Sequence, residues 1–206
     1  AGGVPSGARP DAATAQVLLL APPTWHAGLR STLALVGIDV LALPAHPTTV
    51  DLDLAIPRCT VAVLVGELDW AIAGRLQRAH MPHLLLTPGE RSVNASSWVV
   101  PGQQPCLRCQ YLCQRDADPL WREVLAQLHN WPTPDPDPLL VHGCGLYVAN
   151  VLRTHLSASA SSTPPVASGQ VRLAVTGAIT NTRNSTFHPA CGCARGVANE
   201  KTRVAA

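Results

Sequence analysis

Lysine is almost absent from this chain of 206 residues. Fifteen residues are Lys or Arg, and Lys201 is the only lysine among them. Schiff-base catalysis needs a lysine amine, and many phosphate-binding loops hold their anion with a lysine ammonium. The composition therefore argues against both kinds of chemistry inside the fold.

Charge and long apolar runs are also scarce. Charged residues make up 14% of the chain, and 15 basic against 13 acidic residues leave a net charge of +2. This balance excludes a dedicated binder of nucleic acid or of an anionic membrane. The best apolar run, residues 32–43, is interrupted by Asp39 and falls short of the roughly 20 residues that span a bilayer. Because the opening residues also lack a signal-peptide pattern, we expect a cytoplasmic globular protein.

Aliphatic runs and helical patterns alternate through the first hundred residues. We expect strands at residues 17–21, 38–43, 60–65 and 83–87, with helices at 24–36 (capped by Thr24) and 67–80. Such an alternation is typical of an α/β fold whose parallel strands are joined by right-handed helical crossovers.

The second half reads differently. A helix at 139–156 is apolar almost all round, which predicts either a core helix or an interface between two copies, and we favour a homodimer. The other expected elements are a short strand at 94–100, a helix after Asp118, a Pro-rich connector at 131–138, a Ser-rich linker at 157–169 and strand-like runs at 171–176 and 178–182.

Four of the seven cysteines form two close pairs. Cys106 and Cys109 make a C-x-x-C motif, and Cys191 and Cys193 make a C-x-C motif much later in the chain. Each pair can present two thiolates to one ion, and four thiolates complete a tetrahedral structural zinc site. The spacing therefore predicts that these four residues hold Zn²⁺.

Other interpretations of the cysteines stay open. Cys106 and Cys109 can also form a redox pair, and Cys113 or His188 can replace one zinc ligand. The odd number of cysteines argues against a full disulfide framework. We expect Cys59 and Cys144 to be small buried hydrophobes.

The segment after the first predicted strand lacks the features that bind a nucleotide. It reads Ala-Pro-Pro-Thr-Trp at residues 21–25, with no G-x-G-x-x-G pattern. Pro22 and Pro23 have no N–H to donate to a phosphate, and Trp25 is bulky. We therefore expect no ATP binding.

Several short motifs together resemble a known superfamily. They are VVPG at 99–102, PCLRC at 105–109, DADPLW at 116–121, AQL at 126–128 and HPACGC at 188–193. These motifs resemble those of the ThiF-like superfamily, the bacterial relatives of ubiquitin-activating enzymes. The resemblance is to its actinobacterial, cyclodehydratase-associated branch of thiazole/oxazole-modified peptide biosynthesis, and it covers residues 82–130 and 185–193.

The resemblance implies a Rossmann-like ThiF fold with a mostly parallel sheet, followed by a helical and β segment closed by structural zinc on the two Cys pairs, often in a homodimer. Catalytic relatives use a Gly-rich loop, an Arg, a Lys and Asp residues to bind ATP-Mg and adenylate a carboxyl terminus. This chain departs from them at the loop and at the Lys. In the cyclodehydratase branch the protein has often lost ATP chemistry, binds a precursor's leader peptide and presents the core to a YcaO-type enzyme.

We accordingly expect a non-catalytic, zinc-stabilised scaffold whose partner is a precursor or leader peptide, a YcaO-type cyclodehydratase, or both. Two alternatives are an adenylating enzyme with an aberrant nucleotide loop and a C-x-x-C thiol-disulfide protein. The expected organisation is a flexible segment at 1–16, a Rossmann-like half at 17–104, a zinc-knuckle and helical/β half at 105–193 and a flexible tail at 194–206.

Overall fold

The computed structural model of the protein describes residues 16–128, 135–157 and 169–193. In chain order the elements are β1 (Gln16–Leu20), α1 (Pro23–Ala34), β2 (Asp39–Leu43), α2 (Thr49–Ala55), β3 (Val61–Val65), α3 (Trp70–Arg78), β4 (His83–Pro88), β5 (Ser92–Ala95), α4 (Leu107–Ala117), α5 (Trp121–Leu128), α6 (Pro138–Ser157), β6 (Gly169–Ala174) and β7 (Ile179–Asn184). The expected N-terminal segment, connector, Ser-rich linker and tail lie outside the described residues, apart from a few residues at their edges.

All seven strands join one mixed sheet in the order β2-β1-β3-β4-β5-β6-β7. The first four strands are parallel, as the alternating pattern predicts. The expectation of a mostly parallel sheet is wrong for the other half, where β5, β6 and β7 each pair antiparallel with their neighbours. Short turns at 89–91 and 175–178 join β4 to β5 and β6 to β7, and a turn of that length can only reverse the chain.

Three helices differ from the sequence-based expectations. Helix α1 begins at Pro23, not after a Thr24 cap, because proline suits the first helical position, where no N–H is needed. Helix α2 follows a capping box in which Thr48 and Asp51 bond each other's backbone amides. Helix α4 begins directly after Cys106, so the C-x-x-C motif opens a helix of 11 residues.

Alternate residues of the parallel strands feed two separate apolar layers. Leu19 and Val63 lie with α1 and α6 on one face, whereas Leu18 and Leu64 lie with α2, α3 and the start of α4 on the other. Successive side chains of a strand point to opposite faces, so a strand covered on both sides is apolar throughout. This double burial explains the continuous aliphatic runs in the sequence.

Helix α6 is covered mainly by its own chain, since it packs tightly along α1. A Cβ atom on Gly145 would lie 2.7 Å from Cβ of Thr32, so only glycine allows this approach. Among the large apolar residues of α6, Leu139 and Leu146 face outward, with 72% and 60% of their surface exposed. Most of the apolar surface that the sequence assigned to a possible interface is thus core. Within the described residues, no helix has the length and apolarity needed to cross a membrane.

Candidate metal centre

Two distant segments of the chain bring four sulfur atoms together. Cys106 occupies the N-cap position of α4, without a side-chain capping bond, and Cys109 lies in the first turn. Cys191 and Cys193 flank Gly192 in the turn that follows β7. Gly192 has a φ of 76°, a left-handed conformation that favours glycine and lets the two thiols face the same side. All four sulfur atoms lie within 4.8 Å of one another.

Two close sulfur pairs join one motif to the other. Sγ of Cys106 lies 3.4 Å from Sγ of Cys191, and Sγ of Cys109 lies 3.2 Å from Sγ of Cys193. Tetrahedral zinc with sulfur ligands at about 2.3 Å places the sulfur atoms about 3.8 Å apart, which these separations approach. A disulfide needs about 2.05 Å. Within the described residues, this is the only group of three or more His, Cys, Asp or Glu side chains arranged to hold a metal ion.

Burial makes the thiols poor acids in the absence of a cation. It raises the pKa of Cys106 to about 11, that of Cys109 to about 12 and that of Cys193 to about 11. Burial also acts against ionisation of Cys191, but hydrogen bonds from the Cys193 backbone and the neighbouring thiols hold its pKa below the usual value. A divalent cation supplies the positive charge that lets all four ionise, so a metal and this cluster stabilise each other.

His188 braces the cluster from outside. Its backbone N–H donates to Sγ of Cys109 over 3.3 Å, and its Nδ1 accepts the N–H of Ala190 over 3.1 Å. Since Nδ1 accepts, Nε2 carries the proton and donates to Oδ2 of Asp116 over 2.7 Å. Hydrogen bonds from His188 and then Arg115 hold the pKa of Asp116 below its usual value.

Sequence alone suggested His188 only as a replacement zinc ligand and did not identify Asp116 as its partner. A signal for that partner exists: Asp116 follows Cys109 by seven residues, which is two turns along one face of α4. That relation becomes visible once residues 107–117 are recognised as a helix. Both ring nitrogens of His188 are then occupied by protein partners, and the imidazole orients the turn that carries Cys191.

The remaining cysteines lie apart from the cluster. Sγ of Cys113 contacts Thr186, at 3.7 Å from its carbonyl oxygen and 3.6 Å from its hydroxyl. Cys59 and Cys144 are buried, which confirms the expectation that they pack as small hydrophobes. Burial raises the pKa of Cys59 to about 11 and that of Cys144 to about 12.

The turn between β1 and α1 is built from apolar residues and prolines. Pro22 occupies the N-cap position and Pro23 the first turn of α1, and no side chain caps the helix. The backbone N–H of Trp25 donates to the carbonyl oxygen of Pro22 over 2.9 Å. The indole of Trp25 is fully buried in the layer between α1, α6 and the sheet, directly behind this turn.

No protein-family model matches the sequence, and no curated protein matches it. Solved structures do match its fold. The heterocyclase TruD is 16% identical with a TM-score of 0.56, over 88% of this chain and 28% of that one. E. coli MccB with AMPCPP and MccA is 12% identical with a TM-score of 0.58, over 87% of this chain and 66% of that one. The E. coli microcin synthetase McbBCD complex contains a chain 10% identical, with a TM-score of 0.60, over 92% of this chain and 71% of that one.

At these identities the likeness is one of fold. The chain spans little more than a quarter of TruD and about two thirds of MccB, so those proteins contain further structure beyond the shared part.

Proposed function

We propose that this chain is a non-catalytic, zinc-stabilised scaffold with a Rossmann-like ThiF fold from the cyclodehydratase-associated branch of ribosomal peptide modification. It binds a precursor or leader peptide, a YcaO-type cyclodehydratase, or both. The fold shared with the heterocyclase TruD and with the McbBCD complex favours this setting. The observation that carries the non-catalytic role is the turn between β1 and α1.

A nucleotide phosphate at this place in an α/β sheet is held by free backbone N–H groups at a helix N-terminus. Pro22 and Pro23 have no N–H, and the N–H of Trp25 already bonds Pro22. The buried Trp25 indole also prevents the turn from moving inward to make room. Three of the usual contacts for a pyrophosphate are thus missing from the chain itself.

The four-cysteine cluster would supply rigidity where the scaffold needs it. It joins the first turn of α4 to the segment after β7. Cys106 and Cys191, one from each part, are 85 residues apart in the sequence. Bound Zn²⁺ would cross-link them and supply no chemistry to a substrate, because four protein sulfurs leave no open coordination position.

Titration calorimetry with ATP-Mg tests the non-catalytic role. We expect no saturable heat at millimolar nucleotide, with E. coli MccB, which was crystallised with AMPCPP, as the positive control. A dissociation constant near about 10 μM, equivalent to about −7 kcal/mol, would contradict the proposal and favour the adenylating alternative. Pyrophosphate exchange driven by a peptide carboxyl terminus would then establish that alternative.

Fluorescence anisotropy tests the peptide role. The probes are labelled synthetic peptides made from the short open reading frames that flank this gene, and we expect one of them to bind saturably to the zinc-loaded protein. Absence of binding both to these peptides and to a neighbouring YcaO-type enzyme would contradict a scaffold role in this pathway. A metal-free protein that reversibly forms a Cys106–Cys109 disulfide would instead favour the thiol-disulfide alternative.

Homodimer formation is part of the same proposal. The exposed Leu139 and Leu146 of α6 are the surface that a second copy would cover. Light scattering is expected to report twice the 21.7 kDa of one chain, falling to one chain when both residues are changed to Glu. A wild-type protein that stays at 21.7 kDa would contradict the dimer.

A further inference from the structure

A cleft of about 620 Å³ opens between α3 and α4, and Cys106, Cys191 and Cys193 of the cysteine cluster form one end of its lining. Its walls are mainly apolar, and it is bordered by an aromatic pair. The rings of Trp70 and Tyr111 meet edge to face, with centroids 5.2 Å apart and planes at 79°. Trp70 is 48% exposed although it is the first residue of α3 and could have been covered by the neighbouring helix. A half-exposed tryptophan at the edge of an apolar cleft is typical of a binding surface.

The charged side chains that line this cleft are basic. Arg108 and Arg115 line it, and no Asp or Glu is among its lining residues in the described structure. Arg78 lies at the same place, since its Nη1 atom would be 3.4 Å from a Cβ on Gly74. Arg115 is paired with Asp116, which leaves Arg78 and Arg108 to act on a partner. Their charge is complementary to an acidic ligand.

The cleft also contains a buried hydrogen-bond acceptor. Oε1 of Gln77 is buried and has no hydrogen-bond partner among the described residues, and Gln77 lines the cleft. A buried acceptor without a donor is costly, so a ligand that supplies an N–H gains more than one that does not. Backbone amides of a peptide provide such donors at every residue except proline.

We propose that this cleft is the docking site for an acidic polypeptide segment that places an apolar or aromatic side chain against Trp70 and Tyr111. Its carboxylates face Arg78 and Arg108, and one of its backbone N–H groups bonds Gln77. This assignment rests on the proposed function, because it specifies where the scaffold binds a peptide and what that peptide carries. Acidic peptides fit better than nucleic acid because the cleft is mostly apolar and the chain's net charge is only +2.

Two glycine substitutions distinguish an effect on the cleft from an effect on the rest of the protein. Gly74 lies within α3 and lines the cleft, where only the flexible tip of Arg78 is near its missing side chain. Gly74→Gln therefore fills the cleft without disturbing the core. Gly143→Gln is the matched control, because Gly143 is an exposed glycine of α6 with no atom within 4 Å of its missing Cβ. Glutamine favours helix over glycine, so neither change should lower the melting temperature.

The binding experiment uses a display library of short random peptides selected on the zinc-loaded full chain, followed by anisotropy with the selected peptides made synthetically. We expect the selected sequences to contain Asp or Glu around an apolar or aromatic residue. Gly74→Gln should weaken their binding at least about tenfold, and Gly143→Gln should leave it unchanged. Selected peptides that are not acidic, or that bind Gly74→Gln as tightly as wild type, would overturn the assignment, as would a library that yields no binder.

A charge exchange supplies a test that does not depend on Gly74. Arg108 is the second residue of α4, where a Glu is also favoured by the helix dipole. Arg108→Glu should lose the acidic peptides and gain their Lys-substituted versions, with zinc content unchanged. Equal binding of both peptide sets by wild type and variant would contradict the electrostatic part of the proposal. A single-stranded oligothymidine that displaces the peptides and binds more tightly would overturn the assignment to a polypeptide.

These outcomes can be distinguished from failure of the proposed function. If the precursor peptide binds wild type and Gly74→Gln equally, the scaffold function stands and the cleft is not its site. If library peptides bind at the cleft but neither the precursor nor the YcaO-type enzyme binds anywhere, the cleft assignment stands and the pathway is wrong.

Discussion

The two faces of the sheet are closed in different ways. On one face α1 and α6 pack closely, with Gly28 against Val141 and Gly145 against Thr32, over an apolar layer in which no group of described side chains is arranged to hold a metal. On the other face α2, α3 and α4 cover a second layer whose edge is the four-cysteine cluster. Burial of apolar surface is sufficient for the first face, whereas the second brings together thiols that repel one another when ionised. We infer that the two faces respond to different perturbations.

Removal of the metal should produce the largest difference in stability between the two faces of the sheet. We expect about one Zn²⁺ per chain, and we expect Cys106→Ser or Cys191→Ser to lower the melting temperature sharply, because binding at a structural zinc site contributes on the order of 10 kcal/mol to folding. Metal analysis and thermal denaturation measure these effects. Hydrogen exchange should increase first in α4 and in the turn at Cys191, before α1 and α6.

Cys113→Ser is the matched control for the zinc prediction. Cys113 lies on the same helix as Cys106 and Cys109, but it contacts Thr186 and not the cluster. We expect its zinc content and melting temperature to stay close to those of wild type. A metal-free wild-type protein with an unchanged melting temperature would show that the cluster is not a metal site.

A single methyl group should disturb the opposite face. Gly145→Ala would place its Cβ 2.7 Å from Cβ of Thr32, so α1 and α6 must separate. We expect a loss of about 1–3 kcal/mol in the free energy of unfolding, as for other overpacked cores, with zinc content unchanged. Denaturant titration gives the value.

Gly143→Ala controls for the difference in helix propensity. It makes the same substitution in the same helix at an exposed position with open space around it. It should raise the free energy of unfolding by up to about 1 kcal/mol. If both variants were equally stable, the close approach of α1 and α6 would not be what closes this face.

The smallest expected effect concerns the pH dependence of the hydrogen bond between His188 and Asp116. The folded-state pKa of Asp116 is held below its usual value of 3.8, chiefly by the hydrogen bond from His188. A depressed carboxyl pKa stabilises the protein above its unfolded-state pKa, and this contribution is lost as pH falls through the folded-state pKa. Wild type should therefore exceed Asp116→Asn in stability near neutral pH, and the two should converge below about pH 4.

Denaturant titrations of the two proteins across this pH range measure the difference. Zinc content is measured at each pH, and the two proteins are compared only at pH values where both contain the same amount of metal, so that the difference reports the carboxylate. Asp53→Asn serves as a control, because it removes an exposed carboxylate that pairs with Arg75 away from the cluster. A difference between wild type and Asp116→Asn that does not change with pH would contradict the role assigned to the His188–Asp116 hydrogen bond.

Much of the fold and the two cysteine pairs could be predicted because the relevant signals are local. A strand buried on both faces must be apolar at every position, so Val61–Val65 is recognisable from its own five residues. Two thiols three residues apart can reach one ion whatever surrounds them, so Cys106 and Cys109 were identifiable as a pair. The turn with Pro22 and Pro23 likewise shows in the sequence that its N–H donors are missing.

Other features depended on contacts between distant segments, which local patterns do not specify. The apolar residues of α6 indicate that the helix must be covered, but only its packing on α1 decided that its own chain covers most of it. The strand runs near 171–184 predict strands without saying that β6 pairs antiparallel with β5 and β7 with β6. His188 acquires its role from Asp116, 72 residues away, and the Trp70 cleft exists only because α3 and α4 lie side by side. Sequence determined which residues need burial or a ligand, and tertiary structure decided which groups cover or bind them. The reason is that any apolar surface satisfies burial, whereas a hydrogen bond or a cleft requires particular partners at fixed distances.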